Sequence, residues 1–158
     1  MAYLLLDVAG TPCALAQSEV REVLPLPHLH RPPAAGSMLA GFVDLGGVSL
    51  PVLDLARLLG LRESEPAPDP YRHLLLAADR GAVLLVDRVQ DLVQVPPEAI
   101  RPVDGDETLN GCVLAGIAHG GALIHVLAMA RILTARERGR VAELTAREAA
   151  RFADLTVA

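Results

Sequence analysis

Gly46-Gly47-Val48-Ser49-Leu50-Pro51-Val52-Leu53-Asp54-Leu55-Ala56-Arg57-Leu58-Leu59 returns 74 positions later as Gly120-Gly121-Ala122-Leu123-Ile124-His125-Val126-Leu127-Ala128-Met129-Ala130-Arg131-Ile132-Leu133. Seven of the fourteen positions are identical, and several others exchange one aliphatic residue for another. Each copy reads as a tight turn, because glycine accepts the positive φ that two-residue hairpins need, then a strand, then the start of a short helix. Fainter echoes precede both copies. Leu4-Leu5-Leu6 followed by Gly10 resembles Leu74-Leu75-Leu76 followed by Gly81, and Val20-Arg21-Glu22-Val23 resembles Val89-Gln90-Asp91-Leu92. The offset stays near 70 along most of the chain. Two copies are too few for a solenoid, which takes about three units or more. They predict two similar half-domains about a pseudo-two-fold axis.

Around these copies lie short aliphatic runs punctuated by Gly, Pro and Asp, the pattern of strands and turns. Tyr3–Val8 and Cys13–Gln17 predict a hairpin, and Val20–Leu24 a strand ended by Pro25 and Pro27. Gly41–Leu45 and Val48–Leu53 flank the first Gly-Gly turn, and Asp54–Gly60 predicts a short helix with an Asp cap and a Gly stop. Residues 62–70 carry three prolines and form the expected linker between the halves. The second half then repeats the plan. His73–Ala78 and Ala82–Asp87 predict a hairpin, Val89–Val95 a strand, Pro102–Leu109 an acidic loop, and Cys112–Ala118 with Ala122–Val126 a hairpin, followed by a helix from about Leu127. Beyond Thr134, Thr-Ala-Arg-Glu occurs twice, each a possible capping box, and Val141, Leu144, Phe152 and Leu155 can share one helical face.

At 158 residues the chain is long enough to bury roughly 70% of its unfolded surface in one domain. Apolar residues make up 52% and aromatics 3%, so the core is aliphatic. All fourteen basic residues are arginine, which removes P-loop and Schiff-base lysine chemistry. Residues 1–130 carry 8 Arg against 15 Asp and Glu, whereas 131–158 carry 6 against 4. That acidic body argues against nucleic-acid binding, which needs a basic stripe to neutralise phosphates. The first residues lack the basic region of a secretion signal, and 111–133 splits at Gly120-Gly121 into two short elements rather than one membrane span. Cys13 and Cys112, each in aliphatic surroundings, read as reduced core thiols of a cytosolic protein.

A two-half, all-β body with a short helix after the fifth strand of each half resembles the CheW-like domain family of bacterial chemosensory arrays. The most specific stretch is 41–55, Gly-Phe-Val-Asp-Leu-Gly-Gly-Val-Ser-Leu-Pro-Val-Leu-Asp-Leu, which is similar to the family's Gly, Asn-Leu-Arg-Gly, aliphatic strand with Pro, and Asp-Leu. Val20-Arg21-Glu22-Val23, the run from Val86 to Leu92, and Ile100-Arg101-Pro102 match in the same order. The resemblance covers roughly 3–135. It implies two intertwined five-stranded SH3-like β-barrels over residues 1–135 (halves about 3–62 and 71–135), with 136–158 as a C-terminal helical extension. It also implies a non-enzymatic cytoplasmic adaptor without cofactor or metal. Its expected partners are a chemoreceptor's cytoplasmic tip, lying in a groove that includes Val20, Glu22, Gly46 and Leu92, and the regulatory domain of a CheA-type histidine kinase, facing Arg101 and Pro102. There are departures. Asp44-Leu45-Gly46-Gly47 replaces Asn-Leu-Arg-Gly, so the family's arginine at Gly46 is missing, and Val103-Asp104-Gly105-Asp106 lacks the usual aromatic.

Other chemistry finds little support in the residues. His28 and His30 face one side of an extended chain, as metal ligands would, but no further Cys or His lies nearby. His119 and His125 read as turn and strand residues. Ser18, Ser37, Ser49 and Ser64 have no nucleophile-elbow frame. Asp87 with Asp91, or Asp104 with Asp106, read as solvated acids rather than a glycosidase pair. Glu22 is the ambiguous one: alternation puts it with Val20 and Leu24, where a carboxylate is costly if buried and useful at the rim of a groove. The alternatives to an adaptor of chemotaxis are a diverged regulator of the same fold, in pilus motility or surface sensing, and a small β-barrel ligand binder.

Overall fold

The computed structural model describes residues 1–27, 29, 39–62, 69–79, 81–102, 112–132, 141–147 and 149–151. The first half forms β1 (Ala2–Val8), β2 (Thr11–Ala16), β3 (Val20–Pro25), β4 (Leu39–Leu45), β5 (Val48–Asp54) and helix α1 (Leu55–Leu58). The second forms β6 (His73–Ala77), β7 (Val83–Val86), β8 (Arg88–Gln94), β9 (Ile100–Pro102), β10 (Val113–His119) and β11 (Ala122–Leu127). A one-turn 3₁₀ helix, Met129–Arg131, follows, and residues 141–147 and 149–151 form a tail helix, α2.

The halves do not form separate sheets. One sheet runs β8-β1-β2-β11-β10-β9 and the other β3-β6-β7-β5-β4, so each takes strands from both halves. Replacing β1, β2, β3, β4 and β5 by β6, β7, β8, β10 and β11, and the reverse, converts one order into the other. Both sheets contain one parallel seam, β11 with β2 and β5 with β7, and the bulges repeat as well. The register slips between Leu39 and Gly41 and again between Val113 and Ala115, 74 residues on. It slips between Val20 and Glu22, and likewise between the partners Val89 and Asp91, 69 residues on. Gly46 and Gly47 sit at φ 61° and 82°, Gly120 and Gly121 at 58° and 79°, the paired left-handed conformation of a type I′ turn. The duplication is therefore present in strand order, bulges and turns.

Each expected barrel is an open, curled sheet with its own small core. Tyr3, Leu5, Ala14 and Val126 pack inside one; Val52, Leu74, Leu76 and Val83 pack inside the other. Between the sheets lies a third core, including Leu4, Leu6, Leu15, Leu53, Leu75, Leu84 and Leu127. Strands β1, β2, β6 and β7 thus bury both faces, which is why they read as unbroken aliphatic runs rather than alternating ones.

Three details differ from the sequence-based expectation. Leu4 pairs with Leu15, which lies beside Leu127; Leu75 pairs with Leu84, which lies beside Leu53. Leu4 is therefore equivalent to Leu75 at an offset of 71, not to Leu74. The first sheet gains a sixth strand because Ile100–Pro102 pairs with β10 rather than lying in a loop. After β11 the chain makes a 3₁₀ turn where a helix was expected. The cause is one residue: Asp54 Oδ1 accepts from the Arg57 N–H at 3.4 Å and caps α1, whereas its counterpart Ala128 has no side-chain acceptor. At the other end of α1 the expected stop is present. Leu61 N–H bonds Ala56 O at 2.8 Å and Gly60 N–H bonds Arg57 O at 3.2 Å, with Gly60 at φ 72°, a Schellman ending. In α2, Val141 is buried in the central core and Leu144 packs against it; Phe152 and Leu155 lie outside the described residues, as do His28, His30 and the acidic loop beyond Pro102.

Candidate functional site

Strand β3 is an edge of one sheet and β8 an edge of the other, and the two are equivalent. Their bulges decide which side chains point where. Residues directly opposite in a ladder share a face. Glu22 stands opposite Leu76, of the sheet's own core, whereas Val23 stands opposite Leu75, of the central core. Val20 packs against that central core too. The bulge at Arg21 breaks simple alternation, so Val20 and Glu22 do not share the face expected for them. The same holds for β8, where Asp91 faces Leu5 and Leu92 faces Leu4.

The outcome is a matched pair of edges. Val23 is 37% exposed and Leu92 47%, each continuing the central apolar core outward to solvent. Each has an exposed carboxylate beside it, Glu22 or Asp91. Glu22 has no ion-pair partner among the described residues, and Arg88, a candidate to balance it, is held elsewhere. Val20, Glu22 and Leu92 thus belong to equivalent edge strands. Gly46 is at the exposed β4–β5 turn, on the far edge of its sheet from β3, and a Cβ built on it meets nothing within 4 Å. Arg101 and Pro102 are exposed on β9, at the opposite edge from β8. The two sets of site residues therefore occupy different edges. Val23 was missed by sequence reasoning; its offset of 69 from Leu92 was the signal that could have found it.

A second polar group pins both ends of the linker. The Arg62 guanidinium bonds Asp87 through two nitrogens, at 2.8 and 3.4 Å. That bond, reinforced by Asp87, Asp54 and Asp7 charge, holds Arg62 above its ordinary value. Asp69 accepts from the Tyr71 N–H at 2.9 Å and pairs with Arg88 at 3.1 Å, and these hold its carboxyl below the usual range. Arg88 also lies 5.8 Å from the centre of the Tyr71 ring. Deeper, Arg72 meets Asp54 at 3.5 Å with both side chains buried. Among the described residues no group of three or more His, Cys, Asp or Glu is arranged to hold a metal ion, and no helix is long and apolar enough to cross a membrane.

Comparison with known proteins agrees with this geometry. Over 73 residues the chain is 37% identical to a probable chemotaxis protein CheW of Rhizobium etli, covering 44% of this chain and 45% of the relative. Over 81 residues it is 33% identical to the chemotaxis protein CheW of Rhizobium meliloti, covering 49% and 46%. The chain thus aligns with less than half the length of these curated relatives. The crystal structure of the scaffolding protein TtCheW from Thermoanaerobacter tengcongensis has the same fold, with a TM-score of 0.71 over 81% of this chain and 84% of that one, at 18% identity. The model of the CheW-like domain matches residues 2–137, and the chain belongs to that family.

Proposed function

We propose that this protein is a non-enzymatic adaptor that couples chemoreceptors to a CheA-type histidine kinase. The observation that carries this is the pair of equivalent edges, where Val23 and Leu92 bring the central apolar core to the surface beside Glu22 and Asp91. An apolar strip with a charged rim suits the side of a receptor's helical tip, the apolar centre giving affinity and the rim orientation. Val20 extends this surface along β3, whereas Gly46, at the far edge of the sheet, is assigned to receptor binding by the family's pattern alone. Arg101 and Pro102, on the opposite edge from Leu92, form the kinase surface, so both partners can be held at once. Gly46 in place of the family's arginine favours a second reading, a regulator that serves a system with a different receptor tip, such as pilus motility or surface sensing.

Titration of the full chain with a receptor-tip fragment and, separately, with the kinase regulatory domain tests both. Leu92→Glu abolishes receptor binding and spares kinase binding; Arg101→Glu does the reverse. If neither partner binds the wild-type chain, the adaptor reading fails. If the kinase domain binds and standard receptor tips do not, the second reading replaces the first.

A further inference from the structure

Beneath α2 lies a cavity of about 830 Å³, within the size range of small-molecule sites. Its floor is apolar, with Leu53 and Leu84 from the central core and Ile132 at one side. Along one side runs α2, whose Ala142, Ala146 and Ala149 line the space and are themselves exposed to solvent. Glu19 and Asp79 stand in its wall, and none of the described residues that line it is basic. Each carboxylate spends one oxygen on the backbone. Glu19 Oε2 accepts from the Met129 N–H at 3.4 Å, and Asp79 Oδ1 from the Gly81 N–H at 2.8 Å. Neither has an ion-pair partner among the described residues, so the second oxygen of each is uncommitted.

The pseudo-two-fold axis supplies an internal template for what such a space takes. Ser18 and Ala78, which line the cavity, are the counterparts of Asp87 and Asp7 at the offsets established by strand pairing. Between Asp87 and Asp7 sits Arg62, bonded to the first and within electrostatic reach of the second. In that half an arginine stem carries a cation onto a carboxylate. In the other half the carboxylates have moved to Glu19 and Asp79, and no described residue brings a cation to them.

We propose that this cavity is a binding site for a small organic cation with an apolar body, of the alkylamine or alkylguanidine class. The stem lies on Leu53, Leu84 and Ile132, and the head meets Glu19 and Asp79. The cavity adjoins the start of β3 at Glu19 but includes none of the residues assigned to the receptor and kinase surfaces, so the proposal stands independently of the adaptor reading.

Hexylguanidinium, hexanol and hexanoate, each titrated into the full chain by calorimetry and thermal denaturation, form the test. Hexylguanidinium is expected to bind saturably at one site, hexanol more weakly, and hexanoate not at all. Glu19→Gln weakens the guanidinium by about tenfold or more and leaves hexanol unchanged. Ala146→Phe, which fills the cavity from the α2 side, abolishes both; Ala142→Leu serves if that variant fails to fold. Absence of saturable hexylguanidinium binding overturns the proposal, as does hexanoate binding equally well or binding that survives both cavity-filling variants. Arg136, 74 positions after Arg62, lies outside the described residues. Binding that appears only in Arg136→Ala shows that the chain closes its own cavity and overturns the proposal as well.

Discussion

Gly46 is the residue at which sequence, conformation and function pull against each other. With φ at 61° and open space around it, the turn has room for a side chain but not the backbone preference for one. An L-residue held there costs about 1–2 kcal/mol. Gly46→Arg is therefore expected to lower stability by about that amount in urea denaturation. If the receptor reading is right, it should also strengthen binding of a receptor-tip fragment, since a charge-assisted contact contributes roughly 1.5–3 kcal/mol, and less at a wet rim. Unchanged affinity of a folded variant would remove the turn from the recognition surface. Cys13 has a simpler constraint. Burial, with smaller contributions from Cys112 and Asp7, pushes its thiol up from 9.0 to about 11. The folded state then binds the proton more tightly than the unfolded chain. Stability contributed by this group is complete below about pH 9 and falls as pH rises toward about 11, in total by roughly 2–3 kcal/mol. Denaturation curves at pH 8 and 10.5 should show this loss in wild type and a smaller one in Cys13→Ala.

At the scale of elements, Asp54 joins three of them. It ends β5, caps α1 and meets Arg72 at the start of β6, so one carboxylate fixes where the strand stops and where the second half begins. Asp54→Ala removes the cap and leaves the Arg72 guanidinium buried without its charge partner, which already has two nitrogens lacking hydrogen bonds. A loss of about 3–5 kcal/mol is expected in chemical denaturation, with Asp54→Ala/Arg72→Leu recovering part of it. The cap itself was legible in sequence, as were the strands, the Gly-Gly turns and the Gly60 stop, because each depends on neighbours a few residues away. What was not legible depends on partners far along the chain. A run such as Leu74-Leu75-Leu76, buried on both faces, carries no period to say which leucine faces which core, and so the offset of 71 read as 70. The bulge at Arg21 is likewise set by pairing with β6, and it turns Val23, not Val20, toward solvent beside the central core. Of the proposed receptor surface, Leu92 and Glu22 could be found by resemblance; their faces could not.

Over the whole molecule, every strand of one half that enters the other's sheet ties the two together. The parallel seams Val52–Asp54 with Val83–Leu85 and Cys13–Leu15 with His125–Leu127 cross between halves, and both ends of the linker are pinned by Arg62–Asp87 and Asp69–Arg88. Cutting the chain within 63–68 should therefore leave one particle. Size-exclusion chromatography of a protein cleaved at an inserted protease site is expected to return both fragments together, and either fragment expressed alone should be unfolded by circular dichroism. Separation into two folded pieces would contradict the shared sheets.

The exchange of strands also has a history written into it. A single half could not have closed its own sheet, since β1 and β2 need the counterpart of β8 and β11 from elsewhere. The simplest forerunner is a gene of about half this length whose product worked as a homodimer, each subunit lending strands to the other. Duplication and fusion would then have frozen that partnership in one polypeptide. From that point the two copies were free to diverge, which is how the carboxylate cap came to stand at Asp54 with alanine at its counterpart, and the carboxylate of the arginine clasp at Asp87 with serine at its own.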